Sequence, residues 1–261
     1  KFVPNESVDI KLDNNVHFKT RLVDCVGYLV NGAVGHLENG MPRMVKTPWS
    51  DEDIPFSKAA EIGTKKVICD HSTIGLVVTT DGTITDIPRQ DYVTAEERVI
   101  DELKELDKPF VVILNSTHPE NEETIELAHE LSEKYNTSVL PLDIKNLGEK
   151  DIQNVFERVL EEFPITEIGF KLPEWFSILD IDHWLKQDII KLIKNNFIDD
   201  YSLRQINELI EKISNETDIF DKIYVDNAKM EDGSIKIKMN IAPSMFYKIL
   251  SELSNFNITS D

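Results

Sequence analysis

Between Ile74 and Phe163 the sequence alternates between two textures, and that alternation limits the fold more than any other feature. Ile74-Gly-Leu-Val-Val-Thr79, Phe110-Val-Val-Ile-Leu-Asn115 and Ser138-Val-Leu-Pro-Leu142 are short, almost continuous apolar runs. Runs of this kind are expected for strands buried on both faces. A segment with helical spacing follows each one. Thr94-Ala-Glu-Glu97 reads as a capping box that opens a helix with Ile100, Leu103 and Leu106 facing inward. Residues 120–135 place Ile125, Leu127, Ala128 and Leu131 on one side, and residues 151–163 do the same with Val155, Phe156, Val159 and Leu160. Strands and helices in this order predict an α/β fold: a mostly parallel sheet flanked by helices.

Upstream, residues 8–12 and 18–25 read as two adjacent strands. Residues 28–56 form a long irregular excursion, with Gly32, Gly35 and Gly40 followed by Pro42, Pro48 and Pro55. Residues 56–70 are helix-compatible, weakened by Gly63. After Pro164 the texture changes. A strand over 166–172, helices over 178–197 and 202–214, a strand over 219–225 and a closing helix over 244–253 suggest a smaller α+β domain. Within it Ile235, Ile237, Met239 and Ile241 alternate with polar residues beyond an Asp232-Gly233 turn, as in a half-exposed antiparallel hairpin. The boundaries that follow are 1–165 and 166–261.

Three stretches carry possible chemistry. In Lys19-Thr-Arg-Leu-Val-Asp24-Cys-Val-Gly27 a strand ends in an aspartate and a glycine follows three residues later. P-loop nucleotidases hold Mg2+ in this way, through water on a carboxylate at a strand's carboxyl end. A turn aspartate and a turn glycine give the same pattern. The strand at Phe110 delivers Asn115, Ser116, Thr117 and His118, where a GTPase carries N-K-x-D. Ser116 holds the lysine position and His118 the aspartate position, so the carboxylate that reads guanine is missing and ATP is the expected nucleotide. Asn115, Ser116 and Thr117 are equally good helix-capping residues. Asp143-Ile-Lys145, before Leu147-Gly148, has the shape of a base-side loop or of a plain strand–helix turn. No G-x-x-x-x-G-K-[ST] phosphate loop occurs in the chain.

Composition removes other classes. The net charge is −20, and both parts of the chain are acidic, which disfavours nucleic acid and direct docking on anionic lipid. An apolar share of 41% supports a proper core. Cys25 and Cys69 are the only cysteines, as expected of a reduced cytosolic protein. Lys1 stands where a start methionine would, so the native start is expected upstream.

The runs Arg21-Leu-Val-Asp-Cys-Val-Gly-Tyr28, Pro42-Arg-Met-Val-Lys-Thr-Pro-Trp49, Asp70-His-Ser-Thr-Ile-Gly75, Thr79-Thr-Asp-Gly82 and Asp86-Ile-Pro-Arg89 resemble the stage IV sporulation protein A family. These are spore-coat morphogenetic ATPases of endospore-forming bacteria, related by descent to the translation-factor-like (TRAFAC) GTPases. The resemblance implies a P-loop-NTPase-like domain over 1–165 and a middle domain over 166–261. It implies ATP and Mg2+ as cofactors, and hydrolysis that drives self-polymerisation into the basement layer of the coat. The place implied is the mother-cell cytoplasm at the outer forespore membrane surface. A small amphipathic membrane peptide and other spore-coat morphogenetic proteins are the implied partners, with no nucleic acid and no direct membrane contact by this stretch. Asp24, with Gly27, falls on the family's Walker B aspartate; Asn115, Ser116 and His118 fall on its degenerate base-recognition loop. The phosphate loop would precede Lys1, so this stretch alone is expected to be inactive. The alternative is a non-catalytic structural module of the coat.

Overall fold

The computed structural model describes residues 4, 6–11, 17–198, 201–229 and 232–258. The chain divides into two compact units, Lys1–Glu162 and Phe163–Asp261.

In the first unit, β1 (Val8–Lys11) and β2 (His17–Thr20) form an antiparallel pair with Val8 opposite Thr20. The strand predicted to reach Cys25 therefore stops at Thr20, and residues 21–30 have no regular structure. The reason is pairing: the ladder ends at Val8 opposite Thr20, and among the described residues no strand pairs with residues 21–30. The excursion is more ordered than expected. β3 (Leu37–Glu38) and β4 (Met41–Pro42) form a hairpin around Asn39-Gly40. Both turn residues have positive φ, 52° and 78°, as a two-residue turn of this hand requires. β5 (Met44–Thr47) and β6 (Ser50–Pro55) make a second hairpin around Pro48-Trp49.

Helix α1 (Phe56–Lys66) runs on into a π-helical turn, Val67–His71, and buries Ala59, Ala60 and Val67. Gly63 does not interrupt it; the Trp49 ring packs over that position, 3.7 Å from where a Cβ would stand. The predicted alternation then follows: β7 (Gly75–Thr80), α2 (Arg89–Glu105), β8 (Phe110–Asn115), α3 (Glu122–Tyr135), β9 (Val139–Leu142) and α4 (Glu149–Glu161). The strands form a parallel sheet in the order β7-β8-β9. Central β8 is buried over Phe110–Leu114. β7 is an edge strand among the described residues, with Leu76 42% and Val78 56% exposed. α2 begins at Arg89 behind Pro88, so Thr94 lies inside the helix and caps nothing. Cys25 and Cys69 are both exposed and free.

α2 approaches the sheet closely at its carboxyl end. A Cβ on Gly75 would stand 2.8 Å from Leu103 Cδ1 and 3.2 Å from Phe110 Cβ, and Leu103 is buried. Gly75→Ala is expected to destabilise the unit by about 1–3 kcal/mol through overpacking. In urea unfolding, combining it with Leu103→Ala should cost less than the sum of the single changes; strict additivity would refute the contact.

In the second unit, β10 (Pro164–Ile165) pairs with β12 (Tyr201–Ser202). β11 (Glu167–Lys171) lies parallel to β14 (Ser234–Ile241), which is antiparallel to β13 (Phe220–Lys229). The alternation in β14 buries Ile235, Ile237, Met239 and Ile241. Helices α5 (Glu174–Ile178), α6 (Trp184–Asn196), α7 (Leu203–Glu216) and α8 (Pro243–Ser254) complete the unit. Leu185, Ile189 and Ile206 are fully buried in its core. Phe176 belongs to that core, with Trp175 and Trp184 packed against it. Ser202 caps α7, accepting from the Gln205 N–H while Gln205 Oε1 accepts from the Ser202 N–H.

Candidate functional site

β7, β8 and β9 run parallel, so their carboxyl ends share one edge, the side on which open α/β sheets bind ligands. The register sets Thr80, Asn115 and Leu142 side by side. Asp81, Ser116 and Asp143 therefore leave the three strands at one level.

Hydrogen bonds join the three loops. Asn115 Oδ1 accepts the Ile144 N–H at 3.1 Å, and the Ser116 N–H donates to the Leu142 carbonyl at 2.9 Å. The loop after β8 is thus tied to the loop after β9. Ser116 is fully buried, and its Oγ accepts the His118 N–H at 2.9 Å. His118 itself is exposed. Asp143 caps a single 3-10 turn, Ile144–Asn146, taking the Lys145 N–H on Oδ1 at 3.1 Å and the Asn146 amide on Oδ2 at 2.7 Å. The loop that carries Asn115, Ser116 and His118 thus lies beside the loop that carries Asp143.

Sequence reasoning missed Asp81 as a site residue. Its Oδ1 accepts the Thr83 N–H at 2.9 Å and the Thr83 hydroxyl at 2.6 Å; its Oδ2 accepts the Thr124 hydroxyl at 3.3 Å. Burial alone would push the carboxyl up. Hydrogen bonds from Ser116, Thr83 and Thr124 outweigh it and hold Asp81 below the usual carboxylate range. The available signal was a carboxylate directly after a buried apolar strand, in Thr80-Asp81-Gly82.

Asp24 and Gly27 are not brought to this edge. β2 is not a strand of the parallel sheet. Asp24 is exposed, and among the described residues no hydrogen bond or ion pair links it to the three loops. Gly27 has φ 81°, with nothing within 4 Å of a Cβ placed there. One residue on, Tyr28 is anchored on α2: its hydroxyl donates to Glu102, and Arg98 lies over its ring, 4.0 Å from the centroid. Among the described residues no cluster of three or more His, Cys, Asp or Glu side chains could hold a metal ion. Mg2+ commonly takes one or two carboxylates with substrate phosphates and water, and an exposed lone Asp24 is chemically suited to that share. The stitched Asn115 and Asp143 loops suit the base side of a nucleotide, while His118 offers no carboxylate for the guanine N1–H and amine.

Arg43 stacks on Phe56, its guanidinium carbon 5.5 Å from the ring centroid, and Lys46 is exposed. His183 caps α6 by accepting the Leu185 N–H at 3.2 Å.

The family model described as stage IV sporulation protein A, ATPase domain, matches residues 1–164, and the one described as its middle domain matches residues 165–261. The chain is similar to stage IV sporulation protein A of Clostridioides difficile (strain 630), 49% identical over 261 residues, covering 100% of the chain and 53% of that relative. Similarity to the Bacillus anthracis protein of the same name is 42% over 258 residues, covering 99% of the chain and 52% of the relative. For the Bacillus subtilis (strain 168) protein it is 41% over 258 residues, with the same coverage. The chain thus spans about half the length of the curated relatives it matches. No solved structure matches it. With both family models tiling it end to end, the chain belongs to the stage IV sporulation protein A family.

Proposed function

We propose that the chain is the main body of a P-loop-type ATPase domain followed by an α+β middle domain, and that the intact protein hydrolyses ATP with Mg2+ to drive its own polymerisation into the basement layer of the spore coat. The observation that carries this reading is the carboxyl edge of the β7-β8-β9 sheet. There Asn115 holds the Asp143 loop, and His118 takes the motif position of the guanine-reading aspartate. The open side of β7, with Leu76 and Val78 exposed, is compatible with a sheet that continues through a further strand in the intact protein. Asp24 is proposed to contact Mg2+ through water, and Gly27 to let the backbone approach the terminal phosphate. The assembly is proposed to lie on the mother-cell side of the forespore, with a small amphipathic membrane peptide and other coat proteins as partners. Among the described residues no helix is long and apolar enough to cross a membrane.

One observation favours a second reading, a non-catalytic packing module: Asp24 is exposed and lies off the sheet edge. Phosphate release from ATP and GTP by the intact protein separates the two. ATP is expected to be turned over in preference to GTP, and Asn115→Ala to raise KM for ATP about tenfold by freeing the Asp143 loop. A well-folded intact protein that turns over neither nucleotide would establish the packing module.

A further inference from the structure

Two backbone N–H groups in the loop after β8 are held by hydroxyls, and both hydroxyls answer to one carboxylate. The Thr117 N–H donates to Thr83 Oγ1 at 3.0 Å, and the Thr83 hydroxyl donates to Asp81 Oδ1 at 2.6 Å. The His118 N–H donates to Ser116 Oγ at 2.9 Å, and Ser116 is among the groups whose hydrogen bonding lowers the Asp81 carboxyl. A hydroxyl has one proton and two lone pairs. Thr83, with its proton committed to the Asp81 carboxylate, keeps only lone pairs for the loop and is fixed as an acceptor. Thr124 on α3, itself buried, supplies a further donor to Asp81. Ser116 is fully buried and cannot exchange its partners for water.

We infer that Asp81 is a positioning residue for nucleobase recognition: by polarising Thr83 and Ser116 it sets the backbone of residues 116–118 against the base, without touching the nucleotide itself. This rests on the proposed nucleotide site at the same edge. Asp81 acts from the loop after β7, outside the Asn115 and Asp143 loops proposed to face the base. Charge matters as well as shape. An asparagine keeps the volume, yet its amide nitrogen donates where a carboxylate oxygen accepted, so at least one of the hydroxyls around it loses its acceptor and the orientation that acceptor fixed.

The test is steady-state hydrolysis by the intact protein, comparing ATP with CTP, whose smaller base makes different contacts. Inorganic tripolyphosphate, which has no base, serves as competitive inhibitor. Asp81→Asn is expected to raise KM for ATP about tenfold, to change kcat less than about twofold and to erode the preference for ATP over CTP. Inhibition by tripolyphosphate should not move. Thr83→Val should reproduce part of the KM effect and Thr83→Ser should restore it, which covers the case in which Asp81→Asn folds poorly. If Asn115→Ala raises KM while Asp81→Asn lowers only the urea midpoint, the site stands and Asp81 is merely structural. If neither change moves KM or the ATP/CTP ratio, the base does not bind at this edge and the site reading fails together with the inference. Loss of tripolyphosphate inhibition in step with ATP affinity would also overturn it, because the effect would then lie on the phosphates.

Discussion

Asp24→Ala in the intact protein is expected to lower ATP turnover by about 100-fold, the upper end of what removing a carboxylate from a metal's outer shell costs. It should do so with no loss of stability. The side chain is exposed and has no hydrogen bond or ion pair among the described residues, so the substitution should stay within about 0.5 kcal/mol in urea unfolding. The two readouts together are sharper than either alone. A fall in turnover at unchanged stability identifies a group that acts on the metal or phosphates. Unchanged turnover would reduce Asp24 to a turn residue and leave magnesium to groups elsewhere. Loss of turnover accompanied by destabilisation would contradict the exposed placement.

The second large effect concerns the core. Glu96 is 5% exposed, yet it is ionised and fully partnered. Arg89 grips it with two bonds, 2.7 Å to Oε2 and 2.9 Å to Oε1, and the Tyr135 hydroxyl donates to Oε1 at 2.6 Å. Arg89 also donates to Thr79 at 3.3 Å. The network thereby joins α2 to β7 and α3. Burial would raise the Glu96 carboxyl; hydrogen bonds from Arg89, Thr79 and Tyr135, with the Arg89 charge, pull it below the usual range. The Tyr135 phenol is pushed up by burial, by its bond to Glu96 and by that charge. Glu96→Ala strands a guanidinium and a buried phenol and is expected to cost about 3–5 kcal/mol. Glu96→Gln keeps the shape and should cost less. A depressed folded-state pKa means the charge contributes fully above the unfolded value, 4.5, and is lost as the pH falls through the lower folded value. The stability gap between wild type and Glu96→Gln should therefore be constant from neutral pH to about 5 and narrow below it. A gap that persists undiminished into strong acid would show that charge is not what holds the network.

Much of the architecture was legible because it follows from burial. The Phe110 run is buried along its length as its composition requires, whereas the Ile74 run, expected to be buried on both faces, leaves Leu76 and Val78 exposed. What failed involved choice of partner. Thr94-x-x-Glu97 satisfies the capping pattern, but the cap of α2 is Pro88, six residues earlier, and Glu97 pairs with Lys134 at 2.6 Å instead. The stretch leading to Asp24 has strand composition, but strands need neighbours and β1 supplies none beyond Thr20. Asn39-Gly40 is a strong hairpin signal that was hidden among many glycines and prolines. Glu96 and Asp81 were invisible as structural centres, since a carboxylate on a helix or in a turn reads as solvated until distant donors such as Tyr135 and Thr124 are placed around it. For the candidate site, residue types at the strand ends singled out Asn115, Ser116, His118 and Asp143, and these stand on neighbouring loops of one sheet edge. The hydroxyl relay behind them depends on side-chain direction, which linear spacing does not encode.

The open flank of β7 also governs how this polypeptide behaves in a test tube. Unpaired peptide groups beside exposed Leu76 and Val78 are a template on which another chain can add a strand. A net charge of −20 opposes that encounter at neutral pH and low ionic strength, because like-charged molecules repel before their flanks meet. Strand addition at this flank is therefore expected to grow as acid neutralises the carboxylates and the repulsion fades.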